Sequence, residues 1–279
     1  MQIGLSGVKS QPMKFMRLAF ALGLAACGYA TDSHASSSDW VMMQGGRVRL
    51  VTAGEPDGSG TLRGVLHIEL APGWKTYWRD PGDAGVPPSV DLSASRNISL
   101  AGLDFPPPER HRDGEFAWAG YDRPVALPIT FHVKDPGRPV TISAAIFLGI
   151  CESICVPVHA ELKVDPASDP HNPDDTSLVN AALSALPEPA TDEFGLKTVE
   201  ASEDHLLVEA VLPQGATDAD VFIASDDGYA FREPKKVNRE GDLLFRIPVI
   251  KPAQRPSGAG LHYTLVTDAG AVSGTIPYF

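Results

Sequence analysis

The sequence predicts an all-β protein, with an antiparallel β-sandwich followed by a second, smaller β-sandwich domain. Glycine and proline are abundant, at 26 and 25 of the 279 residues, and long helical periodicities are few. Short apolar or alternating segments are separated by turn-forming runs such as Asp135-Pro136-Gly137. Short strands divided by tight turns are typical of antiparallel sandwiches.

The strands predicted for the first domain lie before and around a pair of cysteines. In chain order they cover residues 47–52, 62–70, 125–133, 140–147 and 156–164. The last of them alternates apolar with polar residues, as a half-buried strand does. Residues 73–88 are rich in proline, glycine and aromatic residues, and we expect them to be too irregular for a strand.

A polar, proline-rich segment follows and separates the two predicted domains. Residues 176–186 carry apolar residues on one helical face and predict a short helix, which Pro187 and Pro189 end. Further strands are predicted at residues 196–201, 205–212, 220–224, 243–249, 261–267 and 271–276. The predicted domains are therefore residues 36–165 and 195–279, with residues 166–194 as a linker that contains the helix.

Residues 1–35 are typical of a bacterial export signal. Lys14 and Arg17 precede an apolar run over residues 18–26, which is too short to span a bilayer by itself. Cleavage after Ala35 is one reading, and lipid attachment at Cys27, which follows a lipoprotein-like Leu-Ala-Ala, is the other. No later run is long enough to cross a membrane, so we expect no transmembrane segment after the signal and a periplasmic location.

The charge and the motifs exclude several classes of function. A formal net charge of −12 argues against nucleic acid or an anionic membrane surface as a partner. The sequence has no recognisable Ser-His-Asp arrangement, phosphate-binding glycine loop or metalloprotease spacing, and we expect no cofactor.

Cys151 and Cys155 are the candidate catalytic residues. They are separated by three residues between two predicted strands, and facing Cα atoms of an antiparallel pair are about 4.5 to 5.5 Å apart, which overlaps the distance that a disulfide needs. A structural bond closing about five residues would contribute only about 2 kcal/mol, so a redox role explains the spacing better. A third interpretation is a soft-metal site in which both cysteines and His159 hold Cu(I).

The aromatic residues of the segment 73–88 have two interpretations. Trp74, Tyr77 and Trp78 either fill the core of the sandwich or lie in a loop that covers the cysteines and opens for a partner. In the second case Tyr121 belongs to the same cover, which faces the partner.

Five segments of the sequence resemble one known family. They are the run Gly-Trp-Lys-Thr-Tyr-Trp-Arg-Asp-Pro-Gly-Asp-Ala-Gly-Val-Pro-Pro at residues 73–88, Phe-Pro-Pro-Pro-Glu-Arg at residues 105–110, Gly120-Tyr121, Leu127-Pro128, and residues 151–157. Together they resemble the periplasmic amino-terminal region of the thiol:disulfide interchange protein DsbD, especially the branch of ScsB, the suppressor of copper sensitivity protein. The resemblance covers roughly residues 40 to 165.

The resemblance implies an immunoglobulin-like sandwich and a thiol:disulfide oxidoreductase-like function. Cys151 and Cys155 would pass reducing equivalents between a thioredoxin-like donor, or a membrane electron-transfer protein, and periplasmic client proteins. Cys155 is the expected point of attack, because Glu152 flanks Cys151. The alternatives are a copper-binding or copper-tolerance module using Cys151, Cys155 and His159, and a redox-inert scaffold with a structural disulfide.

Overall fold

The computed structural model describes residues 1, 2, 4, 36–82, 85–114, 116–239 and 241–279. Nearly all of the regular secondary structure in these residues belongs to four β-sheets. The predicted export signal and Cys27 therefore lie outside the described residues, apart from residues 1, 2 and 4. Among the described residues, no helix combines the length and the apolar character that crossing a bilayer requires.

The first pair of sheets contains the eleven strands that precede the helix. They are β1 (Val41–Met43), β2 (Gly46–Ala53), β3 (Thr61–Leu70), β4 (Lys75–Gly82), β5 (Ser89–Asp91), β6 (Ile98–Leu103), β7 (Glu109–Asp113), β8 (Phe116–Tyr121), β9 (Val125–Val133), β10 (Ile142–Cys151) and β11 (Cys155–Val164). One sheet has the order β1-β2-β3-β9-β6, and the other has the order β11-β10-β4-β8-β7, with β5 paired to β10. All of these pairings are antiparallel.

Alternation along the strands explains why these two sheets face each other across one core. On β10, the residues Ile146, Leu148 and Ile150 are each at most 2% exposed and belong to the same hydrophobic cluster as Leu66 and Phe131 of the other sheet. Successive side chains of a strand point to opposite faces, so the residues between them lie on the outer face of the sheet. The predicted antiparallel sandwich is confirmed.

The structure corrects the prediction for residues 73–88. They contain the strand β4, which lies between β10 and β8 in the middle of its sheet. Tyr77 and Trp78 are both 2% exposed although they point to opposite faces, so the segment lacks the polar side by which a half-buried strand is recognised. Pro81 and Gly82 form the end of β4, where the pairing with β8 shifts register between Tyr77 and Gly82.

The helix α1 (Pro173–Ser184) begins three residues before the predicted start. Asn172 caps it by accepting hydrogen bonds from the backbone N–H groups of Asp174 and Asp175, and Pro173 occupies the first turn, where no intrahelical N–H bond is lost. The helix packs on the outer face of the first sheet, where Val179 and Ala182 cluster with Val51 and Val65.

The second pair of sheets is formed by the strands after the helix. They are β12 (Glu188–Pro189), β13 (Gly195–Ala201), β14 (His205–Val211), β15 (Ala219–Ala224), β16 (Ala230–Phe231), β17 (Lys235–Arg239), β18 (Asp242–Ile250), β19 (Leu261–Thr267) and β20 (Gly270–Ile276). Their orders are β12-β20-β19-β15 and β13-β14-β18-β16, with β17 paired to β18. A second core, containing Val208, Phe245 and Leu265, lies between them.

The two pairs of sheets are in direct contact. Described residues from Ser36 onward belong to one compact unit, and Phe222 and Ala224 of β15 join the core of the first pair. Arg110 of β7 forms an ion pair with Asp220 of β15. The residue limits expected for the two domains and the linker stay a prediction.

Candidate functional site

The two cysteines close the hairpin formed by β10 and β11. The strands pair without interruption from Ile142 opposite Val164 to Cys151 opposite Cys155. The two sulfur atoms are bonded at 2.07 Å, and the Cα atoms are 4.2 Å apart. The bond therefore lies next to the turn of an otherwise regular hairpin.

The two sulfurs have different surroundings. Alternation along β10 places Ile150 in the core and Cys151 on the outer face of the sheet, where Cys151 is covered and only 1% exposed. Cys155 is exposed, and it follows Ile154, whose side chain is 77% exposed. Cys155 is thus the residue of the pair that another protein can approach from solvent.

Tyr77 of β4 contacts both sulfurs. Its hydroxyl oxygen is 2.9 Å from Sγ of Cys151 and 3.0 Å from Sγ of Cys155. A disulfide carries no proton, so the hydroxyl is the donor, and its single proton is shared between the two sulfurs. Burial raises the pKa of Tyr77, which keeps the phenol protonated and able to donate at neutral pH.

The position of the Tyr77 ring is fixed from two sides. Trp118 of β8 packs edge-on against it, with ring centres 5.9 Å apart. Gly149 lies beneath it, where a Cβ atom would come within 3.0 Å of Cδ2 of Tyr77. Tyr77, Trp118 and Cys151 form one small buried cluster on the outer face of the sheet.

Lys75 and His111 complete this outer face. The ammonium of Lys75 is 4.5 Å from the centre of the Trp118 ring, and the imidazole of His111 is stacked on Trp118 with ring centres 4.1 Å apart. Burial lowers the pKa of Lys75. The pKa of His111 is also lowered, mainly by burial, with Asp122 opposing this and Lys75 adding to it.

Sequence reasoning missed Lys75, Trp118 and His111 as parts of the site. Lys75 and Trp118 are brought there because β4 pairs with β10 and with β8, which are distant from it in the chain. His111 lies opposite Trp118 in the hairpin of β7 and β8. If residues 116–121 had been recognised as a strand, the alternation of side chains would have placed Trp118 and Tyr121 on opposite faces of it.

The structure separates the four aromatic residues predicted to cover the cysteines. Tyr77 lies on the sulfurs. Trp78 is in the core and packs against Phe222, and Tyr121 is buried there and donates a hydrogen bond to the carbonyl of Pro106. Burial raises the pKa of Tyr121 well above its ordinary value.

Trp74 is the fourth of these residues. It is half-buried and packs against the core. Its ring lies so close to Gly45 that a Cβ atom there would come within 2.0 Å of it. Of these four residues, Tyr77 is the one for which the structure describes contacts with the sulfurs.

The three residues of the copper interpretation are not brought together. His159 is four residues along β11 from Cys155, which corresponds to about 13 Å in a strand. Its ring packs against Phe147, with centres 4.8 Å apart, and the cysteine sulfurs are bonded to each other.

One other group could hold a metal ion, among the residues that the structure describes. Glu109, His111 and Asp122 have possible ligand atoms within 4.8 Å of one another. The two acidic residues are exposed, and Glu109 is ion-paired with Arg123. We assign no ligand to this group.

Residues 49–166 match the family described as thiol:disulfide interchange protein DsbD, N-terminal. This segment is a DsbD amino-terminal domain. The disulfide on its outer face is consistent with the exchange chemistry in the family's description, and the resemblance found in the sequence is confirmed. No curated protein sequence matches the chain.

Solved structures support the DsbD assignment at the level of the fold. The N-terminal periplasmic domain of ScsB from Proteus mirabilis matches with a TM-score of 0.69 at 20% identity, over 88% of this chain and 99% of that chain. At this identity the match shows a shared fold, and the immunoglobulin-like class is confirmed. A conserved domain protein from Bacillus anthracis matches with a TM-score of 0.23 at 12% identity, over 83% of this chain and 76% of that chain, and carries no argument.

Proposed function

We propose that this protein exchanges its Cys151–Cys155 disulfide with the thiols of other proteins in the periplasm. It accepts reducing equivalents from a thioredoxin-like donor or a membrane electron-transfer protein and passes them to client proteins. The observation that carries the proposal is a disulfide between a covered cysteine and an exposed one on a DsbD amino-terminal domain. The periplasmic location of the ScsB domain and the export signal predicted for residues 1–35 support the compartment.

The difference in exposure between the two cysteines supports a different role for each. In the proposed reaction a thiolate of the donor attacks Sγ of Cys155, because Cys155 is the exposed residue of the pair. A bond forms between the donor sulfur and Cys155, the Cys151–Cys155 bond breaks, and the electron pair goes to Cys151, which leaves as a thiolate. Tyr77 is 2.9 Å from that sulfur and donates its hydroxyl proton in a hydrogen bond to it.

A second thiol of the donor completes the transfer. It attacks its own sulfur in the mixed disulfide, the donor leaves as a disulfide, and Cys155 leaves as a thiolate. Two electrons have then moved from the donor dithiol to the Cys151–Cys155 pair, and the two thiolates take up protons from solvent. The reverse sequence reduces the disulfide of a client.

A purely structural role explains the bond less well. Closing a loop of about five residues contributes only about 2 kcal/mol in the loop-entropy model. The hairpin is already held by continuous pairing from Ile142 and Val164 up to the cysteines. Breaking the bond therefore changes little of the fold, which suits a disulfide that opens and closes.

The test is covalent trapping with single cysteine variants. In Cys151→Ser, Cys155 is a free thiol that attacks a thioredoxin whose one remaining cysteine is activated as a disulfide with a small aromatic thiol. The small thiol leaves, and the two proteins stay joined because neither keeps a second cysteine. In Cys155→Ser, the remaining Cys151 is covered, and we expect much less of the mixed disulfide. Non-reducing electrophoresis and mass spectrometry measure both.

Two results together would reject the proposal. They are a reduction potential of the wild-type disulfide below about −300 mV, typical of inert structural bonds, and no mixed disulfide from either variant. The wild-type protein with both cysteines alkylated is the control for non-covalent association.

A further inference from the structure

A charged side chain is buried beside the disulfide. Lys75 is 9% exposed, and it lies on β4 directly opposite Cys151 of β10. Facing residues of an antiparallel pair have Cα atoms about 4.5 to 5.5 Å apart, and their side chains share one face of the sheet. Lys75 and Cys151 are therefore neighbours on the outer face.

The ammonium of Lys75 borders the buried cluster that contains the sulfur. Its Nζ is 4.5 Å from the centre of the Trp118 ring, and Trp118, Tyr77 and Cys151 form that cluster. Burial lowers the pKa of Lys75, since little water reaches the charge. A charge in such surroundings acts on its neighbours with little screening.

Cys151 needs such a charge when the disulfide opens. Cys151 is 1% exposed, so little water reaches its thiolate, and burial without a partner disfavours the charged form of a thiol. Tyr77 supplies one hydrogen bond but no net charge. A neighbouring lysine is one of the groups that favour a thiolate.

We propose that Lys75 is a positioning residue of the reaction, whose ammonium stabilises the negative charge that Cys151 takes up as the bond breaks. This proposal rests on the exchange function proposed above. Other titratable groups lie near this region, among them Glu152 and His111, and Glu109 and Asp122 lie beside His111. Glu152 lies in the turn of the hairpin, with Oε1 3.7 Å from where a Cβ of Gly73 would be, and it opposes the negative charge. His111 lies on Trp118, and burial lowers its pKa, which favours the neutral ring.

The experiment compares Lys75→Met with Lys75→Arg. Methionine keeps the length of the side chain and removes its charge, and arginine keeps the charge. The control is Lys163→Met, which makes the same change of net charge at an exposed position of β11 far along the strand from Cys155. Circular dichroism checks the fold of each variant.

Two quantities are measured. For Lys75→Met we expect reduction of the disulfide by dithiothreitol to slow by about three- to tenfold, because a leaving thiol of higher pKa leaves more slowly. In the Cys155→Ser background, the pH midpoint of thiolate absorbance from Cys151 should rise by about one pH unit. Lys75→Arg should stay within about twofold of wild type in rate, as should Lys163→Met.

Equal rates and equal thiolate midpoints in Lys75→Met and Lys163→Met would overturn the role of Lys75. If the Cys151→Ser variant forms no mixed disulfide with the activated thioredoxin in the trapping experiment, the exchange function fails instead. If Lys75→Met does not fold, Lys75→Gln against Lys75→Arg decides the same question, since one removes the charge and the other keeps it.

Discussion

The contact between one phenol and two sulfurs joins the aromatic segment to the cysteines. Tyr77 is 2% exposed, and its hydroxyl is about equally far from Cys151 and Cys155. In the intact disulfide the sulfurs are weak acceptors, whereas the thiolate left after reduction is a charged acceptor. The contact therefore strengthens as Cys151 becomes the leaving group.

Tyr77→Phe should slow reduction of the disulfide by dithiothreitol by about tenfold or more. The change removes the hydroxyl and keeps the ring that packs on Trp118. A hydrogen bond to a charged group contributes about 1.5 to 3 kcal/mol, and about 1.4 kcal/mol corresponds to a tenfold change in rate. Stopped-flow measurement of reduction at neutral pH checks this.

Tyr121→Phe is the matched control for Tyr77→Phe. Its hydroxyl donates to the carbonyl of Pro106 in the core, on the face away from the sulfurs. We expect a loss of about 1 kcal/mol in the free energy of unfolding and an unchanged reduction rate. Equal slowing in both variants would show that general loosening of the domain, not the sulfur contact, controls the rate.

Only part of the site could be predicted at the level of residues. The cysteine pair is visible in the sequence because its members are close in the chain and lie between two apolar, strand-like segments. Lys75 and Trp118 could not be assigned to it, because their closeness to Cys151 depends on which strands become neighbours. Pairing partners of a strand are set by the whole sheet, and a single sequence contains no direct record of them.

Among the elements, β4 determines how the site is built. It lies between β10 and β8, and its alternate residues supply Lys75 and Tyr77 to the outer face and Trp78 to the core. The sequence prediction failed here because both faces of β4 are buried. A strand with one exposed face was predicted well: β11, in which buried and exposed residues alternate, begins one residue before the predicted start and ends at the predicted residue.

The close approach of β10 to the Tyr77 ring can be tested with Gly149→Ala. The added Cβ would lie 3.0 Å from Cδ2 of Tyr77 and 3.0 Å from the carbonyl oxygen of Val86, so one of them has to move. We expect a loss of about 1 to 3 kcal/mol in the free energy of unfolding, typical of overpacking, measured by urea denaturation. Reduction of the disulfide should also slow, because Tyr77 shifts from the sulfurs.

Gly102→Ala on β6 is the control for Gly149→Ala. A Cβ added at Gly102 has no atom within 4 Å, so the same substitution in a strand meets open space. Its stability should equal or slightly exceed that of wild type, since alanine reduces the entropy of the unfolded chain. A normal reduction rate in a folded Gly149→Ala variant would contradict the positioning of Tyr77 by β10.

In the whole molecule, Arg110 joins the two pairs of sheets. Its Nε is 2.9 Å from Oδ2 of Asp220, its Nη2 is 3.2 Å from Oδ1 of Asp220 and 2.7 Å from the carbonyl of Val221, and its guanidinium lies over the ring of Phe222. Arg110 belongs to β7, the strand that also carries His111. The second pair of sheets thus supports an edge of the sheet that holds the disulfide.

Arg110→Met should lower the free energy of unfolding by about 1 to 3 kcal/mol, because it removes the positive charge paired with a partly buried carboxylate and one donor to the carbonyl of Val221. Arg112→Met is the control, since Arg112 is 61% exposed in its ion pair with Glu233 and such surface pairs contribute about 0 to 1 kcal/mol. Urea denaturation of both variants measures the difference. Equal losses would mean that Arg110 does not link the sheets.

The hairpin of β10 and β11 has a consequence for turnover. The pairing of the two strands continues without interruption to the cysteines, so we expect them to remain paired whether or not the sulfurs are bonded. In the proposed exchange, repeated cycles would then require no refolding, and the oxidised and reduced molecules would have nearly the same backbone. A docking protein would have to distinguish them by the state of the two sulfurs.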